Sequence, residues 1–402
     1  MGAFDLDWMI SVDDHILEPP HVWQDRVAKK YRDGAPRFVR DDKGEAWVYE
    51  GKRLPTPGLA AVAGKTVEEF SPLPITYEDM RLGCYDPKAR LADMDRAGVL
   101  ASLCFPSLPG FCAETFFKSK DHALALACLK AYNDWHLEEW CAAAPGRFIP
   151  LILIPLWSVE ESKREIERCA AKGARAVSFS EDPSRLGLPT VQNTDHHWDP
   201  MLKAAADAEM VVCMHIGTTG TMLKTTPEST LMVTLSWGAG SSMSAAMLDW
   251  LFSGVFIRIP KLKIALSEGG IGWMPYFLER AEQVYAKQRF WAAKSDWTID
   301  LATGKLIQNE ARTMPSEFDV RQLFRDHIFG CFIDDIHGVK NLGAIGVDNV
   351  MIETDYPHSD STWPDCLKAA KQQLVGLSEA DQYKVLRGNA ERLFRFEASV
   401  TG

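Results

Sequence analysis

Apolar runs of strand length recur along the chain, and most are followed by a stretch with helical periodicity, the pattern of repeated βα units feeding a parallel sheet. Eight such runs are found, at residues 9–14 (MISVDD), 99–105 (VLASLCF), 148–154 (FIPLILI), 174–180 (ARAVSFS), 210–215 (MVVCMH), 262–267 (LKIALS), 327–333 (HIFGCFI) and 349–354 (NVMIET). They are near-continuously apolar, as strands covered on both faces should be. Helices are predicted over 121–143, 159–172, 200–208 and 241–256, with a closing helix around 361–376. An eightfold count favours a closed (β/α)8 TIM barrel of the α/β class over an open doubly wound sheet, and no GxGxxG or GxxxxGK[ST] motif follows any strand.

Two connections are too long for simple βα loops, at about 19–97 after strand one and about 275–325 after strand six. Trp273, Phe277, Tyr285, Phe290, Trp291 and Trp297 lie in or beside the second. Such insertions at the C-terminal face of a barrel build substrate pockets or lids, with a packing or dimer surface as an equal alternative.

The 402 residues, 46% hydrophobic, suffice for a large core and could be divided into two or three ordinary domains. No internal repeat or low-complexity linker marks a boundary, so a single barrel domain over 1–402 is expected. The net charge of −11, with Lys and Arg spread along the chain, argues against a nucleic-acid or anionic-membrane partner and leaves a small-molecule substrate as the default. Nine cysteines at irregular spacing, with no CxxC pair, fit neither a disulfide framework nor a zinc knuckle and are expected in the core. MGAFDLDWMISVDDH has no basic and apolar leader pattern and no Ser or Thr for myristoylation, and no segment approaches eighteen uninterrupted apolar residues, so the expected location is the cytoplasm.

Chemistry-bearing side chains collect where the predicted strands end, the face on which barrels build active sites. Strand one ends in Asp13-Asp14-His15, strand five in His215, strand six in Ser267-Glu268-Gly269-Gly270 and strand eight in Asp355-Tyr356-Pro357-His358. Two residues apart on an extended strand, Asp13 and His15 point the same way and can grip one ion. One histidine after a strand is usually structural, but a convergent set of imidazoles and carboxylates without a thiolate suits Zn, Mn or Fe.

Asp-x-His on strand one, Met-His-Ile-Gly at 214–217, Leu-Lys-Ile-Ala-Leu-Ser-Glu-Gly-Gly at 262–270, Thr-Asp-Tyr-Pro-His at 354–358 and Gly-Asn-Ala-Glu-Arg-Leu-Phe at 388–394 together resemble the amidohydrolase superfamily. The likeness spans almost the whole chain and is closest to the aminocarboxymuconate-semialdehyde decarboxylase branch. It implies that Asp13, in a slot usually filled by His or Glu, and His15, His215 and Asp355 are metal ligands, with Asp355 also handling the proton of a metal-bound water.

Glu268 stands where the family carries a strand-six catalytic histidine. A carboxylate cannot act as a neutral imidazole, so Glu268 either orients a neighbouring group or is itself a ligand. As a ligand it gives two histidines and three carboxylates, a set familiar for paired iron or manganese. Strand four supplies no Lys to bridge two ions, and Glu181 is a weak alternative for that place. His358 is a candidate acid or orienting group just past the rim, with a plain surface role as the rival. Asp14 and Glu18 could orient His15 or bind nothing, and Asp334-Asp335 could cap the following segment. His196-His197 precedes a helix leading into strand five and so belongs to the wrong end of the barrel.

The leading expectation is a metal-dependent hydrolase or decarboxylase of a small carboxylate or carbonyl substrate, holding one or two divalent ions and using Asp355, Glu268 and His358 catalytically. The alternative is a non-haem diiron or iron monooxygenase on the same barrel, and the third a barrel that binds without catalysis. A homodimer is expected.

Overall fold

In the computed structural model, which describes residues 4–220, 222–292, 297–300, 302–308 and 318–399, the eight apolar runs become eight parallel strands. They are β1 (Met9–His15), β2 (Val99–Phe105), β3 (Phe148–Ile149 continued by Leu151–Ile152), β4 (Ala176–Ser180), β5 (Val211–His215), β6 (Lys263–Ser267), β7 (Ile328–Phe332) and β8 (Val350–Ile352). Each pairs with the next in chain order. The ring closes just past the strand ends, where the Asp355 N–H donates to the Asp13 carbonyl at 2.9 Å and the His15 N–H to the Tyr356 carbonyl at 2.6 Å. Pro150, which has no N–H to give, divides β3, and its carbonyl accepts from Arg175 and Ala176 at 2.9 and 3.1 Å.

Alternation along the strands makes two cores. Ile10, Leu103, Ile149, Cys213, Ala265 and Met351 belong to the buried cluster inside the ring. Cys104, Val177, Met214, Leu266, Phe332 and Ile352 face the surrounding helices. On β1 the alternation changes phase, because the three steps from Ser11 to Asp14 run opposite only two from Ser102 to Cys104. This bulge places Asp13 and His15 on the side that Ile10 and Val12 occupy before it, and sends Asp14 between strands.

Helix bounds depart from expectation in three places. The stretch 121–143 is an α-helix at His122–Trp135 followed by a wider turn at His136–Trp140 and a tighter one at Cys141–Ala143. The helix expected from 241 already begins at Leu231 and ends at Phe252. The closing helix covers only Cys366–Gln373.

Between β1 and β2 lie an antiparallel sheet of Arg37–Asp41, Gly44–Tyr49 and Lys52–Leu54, and a helix, Pro87–Ala97. After β6 come the helix Met274–Ala292 and a hairpin of Trp297–Asp300 with Lys305–Gln308. Trp273, Phe277 and Tyr285 pack against the core and Phe290 is exposed, while the side chains of Trp291 and Trp297 lie outside the described residues. All nine cysteines are buried and unpaired. Among the described residues no helix is long and apolar enough to cross a membrane.

Candidate metal centre

Asp13 and His15 are fully buried at the end of β1. The backbone that carries them is tied down from both sides. Asp14 accepts hydrogen bonds from the Ser11 and Thr354 hydroxyls at 2.9 and 2.5 Å, from the Tyr356 N–H at 3.1 Å and from the Ser102 hydroxyl. Arg90 donates to the His15 carbonyl at 2.5 Å and to the Gly83 carbonyl at 2.7 Å. Glu18 accepts the Ser107 and Leu108 N–H groups, both at 2.9 Å. Asp14 and Glu18 therefore hold strand ends together instead of orienting the His15 ring, a correction to the sequence reading.

His215 ends β5, and its Nδ1 lies 2.6 Å from the Ile216 carbonyl, so with Nδ1 donating, Nε2 carries the free lone pair. That Nε2 is 3.2 Å from His15 Nε2, 3.2 Å from Asp13 Oδ2 and 3.1 Å from Glu268 Oε2. Ligand atoms of Asp13, His15, His215 and Glu268 all lie within 4.8 Å of one another. Asp355 falls into a second, overlapping group with His15 and His358. Its Oδ1 is 3.1 Å from His15 Nε2 and 3.0 Å from His358 Nδ1, and the His358 ring stacks on His15 at 3.7 Å. The five residues expected as ligands thus divide, with Glu268 in the four-residue group and Asp355 beside it. Glu268 and His358, 15% and 16% exposed, are the members open to solvent.

Both site carboxylates beyond β6 and β8 sit on left-handed backbone, Glu268 at φ 57° and Asp355 at φ 53°. Side-chain residues rarely hold that conformation without support from their surroundings. The Glu268 N–H donates to Glu353 Oε1 at 3.0 Å. Asp335 accepts the Ile271, Gly272 and Gly338 N–H groups at 2.7, 2.6 and 2.7 Å, capping Ile336–Lys340 and anchoring the loop after Glu268. Its capping role matches expectation, and its grip on this loop is new.

The electrostatics are those of a cation seat. Burial first, then the charges of Glu353, Glu268 and Asp355, raises the Asp13 carboxyl well above its usual range. Burial, then Asp355, does the same to Glu268. Burial also raises Asp355, but His358 and His15 more than offset it, and its carboxyl lies below the usual range. Burial lowers both histidines, His15 strongly and His215 to about 4, leaving neutral imidazoles that can offer a lone pair. Both Asp13 oxygens and His15 Nδ1 are buried without a hydrogen-bond partner. Among the described residues no Lys or Arg pairs with Asp13, Glu268 or Asp355. Two imidazole nitrogens and carboxylate oxygens converging with no donor among them fit a divalent ion.

Several participants escaped the sequence reading. Glu353, fully buried, stands two residues before Asp355 as Asp13 stands before His15, so the same spacing could have found it. Phe111, past β2, sets its ring 4.8 Å from His15 and 4.3 Å from His215, and no spacing signals it. Glu181 lies outside both groups: its N–H donates to the Thr218 hydroxyl at 3.0 Å, and the Ser242 hydroxyl lies 3.5 Å from Oε1. His196 and His197 are exposed and join neither group.

Comparison with known proteins sets this geometry in a lineage. The gamma-resorcylate decarboxylase of Polaromonas sp. (strain JS666 / ATCC BAA-500) is 23% identical over 282 residues, 65% of this chain and 74% of that protein. An amidohydrolase from Mycobacterium avium subsp. paratuberculosis K-10 superposes with a TM-score of 0.67 at 19% identity, covering 96% of this chain and 99% of its own. The 5-carboxyvanillate decarboxylase of Novosphingobium aromaticivorans DSM 12444, complexed with manganese and 4-hydroxy-3-methoxy-5-nitrobenzoic acid, gives a TM-score of 0.61 at 18% identity over 97% of this chain and 96% of that one. The amidohydrolase family profile matches residues 21–396, nearly the full length, and so this chain belongs to the amidohydrolase family.

Proposed function

We propose that the protein is a metal-dependent decarboxylase of a small aromatic or unsaturated carboxylate, with Asp13, His15, His215 and Glu268 holding one divalent ion. The observation that carries this reading is the division of the site: a four-residue seat, with the Asp355–His358 pair beside it and His358 reaching solvent. Decarboxylation needs an electron-withdrawing centre for the carboxylate and a proton for the carbon that loses it, and the two groups supply these separately.

An ion in the seat would polarise the substrate carboxylate and a neighbouring oxygen. When the C–C bond breaks, its electron pair stays on the substrate carbon and CO2 departs. The Asp355–His358 pair delivers a proton to that carbon and recovers one from solvent through the exposed edge of His358. Phe111 walls the site against water on the side of both histidines. Glu268 supplies a negative charge where an imidazole would supply none, which favours a hard ion such as manganese over zinc. The bound manganese and benzoic acid of the Novosphingobium decarboxylase support the same choice. The relatives described above carry decarboxylase or amidohydrolase names, and none is named an oxygenase.

The test is CO2 release from a panel of hydroxylated and methoxylated benzoates by chelator-treated protein, with and without added Mn. Turnover restored by the metal and absent in His215→Ala supports the reading. Equal turnover by the metal-stripped protein would overturn it.

A further inference from the structure

A cavity of about 170 Å3 is lined by none of the residues of the metal centre. Its walls come from three places: the loop after β1 (Leu17, Glu18), the loop after β2 (Ser107, Leu108, Thr115), and the segment between β1 and β2 (Trp47, Leu54 to Pro57, Ala60, Tyr77). A cavity of roughly 150 Å3 accommodates a benzene molecule, so this one admits one six-membered ring with a short substituent.

The chemistry of the wall restricts the occupant. Its polar groups are mostly engaged with the protein itself. Both Glu18 oxygens accept backbone N–H groups, the Tyr77 hydroxyl donates to the Glu18 carbonyl at 2.5 Å, and the Ser107 hydroxyl donates to the Ile16 carbonyl at 2.7 Å. Trp47, Leu17, Leu54, Pro57 and Leu108 present apolar surface, while Thr56 and Thr115 bring hydroxyls. Among the described residues no Lys or Arg lines the cavity, so no cation there offsets the burial of a carboxylate. An uncharged ring carrying at most a hydroxyl or methoxy group matches this surface.

Position relates the cavity to the metal centre. Leu17 stands two residues beyond His15, a separation of at most about 7 Å along the chain. Leu108 stands three residues before Phe111, whose ring touches both seat histidines. We infer that this cavity is a binding pocket for a neutral single aromatic ring, the far end of a substrate whose carboxylate goes to the metal centre. The link to a substrate rests on the decarboxylase reading, but the pocket itself does not.

Calorimetric titration with p-cresol and 2-naphthol separates the two. Wild-type protein is expected to bind p-cresol, and Ala60→Phe, which fills the pocket, to weaken it by about tenfold or more. Leu108→Ala enlarges the pocket and is expected to tighten 2-naphthol by about fivefold or more, an arm that decides the matter if Ala60→Phe fails to fold. His215→Ala should leave p-cresol affinity unchanged. Loss of p-cresol binding in His215→Ala would place the ring in the metal centre and overturn the pocket. Indifference of both affinities to Ala60→Phe and Leu108→Ala would overturn it as well. Retained p-cresol binding in a protein that releases no CO2 would contradict the decarboxylase reading alone.

Discussion

Asp13 buries both carboxylate oxygens with no hydrogen-bond donor, an arrangement that costs several kcal/mol unless a cation satisfies it. The seat should therefore depend on Asp13 and His215 more than on Asp355, which groups with His358. Asp355→Asn is expected to retain its metal but lose turnover by about a hundredfold or more, as removal of a proton-transfer group does. Metal content and kcat measured on one preparation check this, and loss of the ion in Asp355→Asn would return Asp355 to the seat. The residues at strand ends were legible in the sequence because strand termini combined with polar side chains mark a barrel mouth. Glu353 shows only in its two-residue spacing from Asp355, a weak signal at the tail of an apolar strand, and Arg90 shows in no spacing, since its role is to hold the His15 carbonyl from a helix remote in sequence.

At the level of elements, the loop after Glu268 owes its shape to one side chain. Asp335→Ala removes three N–H partners, at Ile271, Gly272 and Gly338, and should loosen the left-handed turn that presents Glu268. Metal affinity is expected to fall by about tenfold or more, with thermal stability reduced, and isothermal titration with Mn measures the first effect. Unchanged affinity would mean that Glu268 contributes nothing to the seat. The eight strands were readable because each is buried on both faces and therefore continuously apolar. The long helix was placed late because Leu231, Met232 and Leu235 are exposed, so its opening turns show no buried stripe for periodicity to detect. The bulge in β1 was invisible, since it depends on pairing with β2 and not on residue type.

Taken whole, the molecule buries acids that burial holds up to about 7, at Glu18, Glu114 and Glu181, besides the raised carboxyls of Asp13, Glu268 and Glu353. An acid raised on folding binds its proton more tightly in the native state. Folding is therefore favoured by it at low pH, and stability falls as pH rises from the ordinary carboxylate range, near 4.5, through about 7. The metal-free protein should accordingly show a Tm that declines between about pH 5 and 8, and added Mn should restore more of it at the upper end, where fewer protons compete with the ion for the seat. Scanning calorimetry at several pH values checks both, and a Tm that rises over that interval would contradict the assignment of these acids as raised by burial. Most direct of all is elemental analysis of the purified protein after incubation with Mn and desalting. About one divalent ion per chain is expected, retained by wild type and lost in both Asp13→Ala and His215→Ala. A wild-type protein that takes up no metal, or variants that hold it as well as wild type, would contradict the metal centre on which the proposed activity rests.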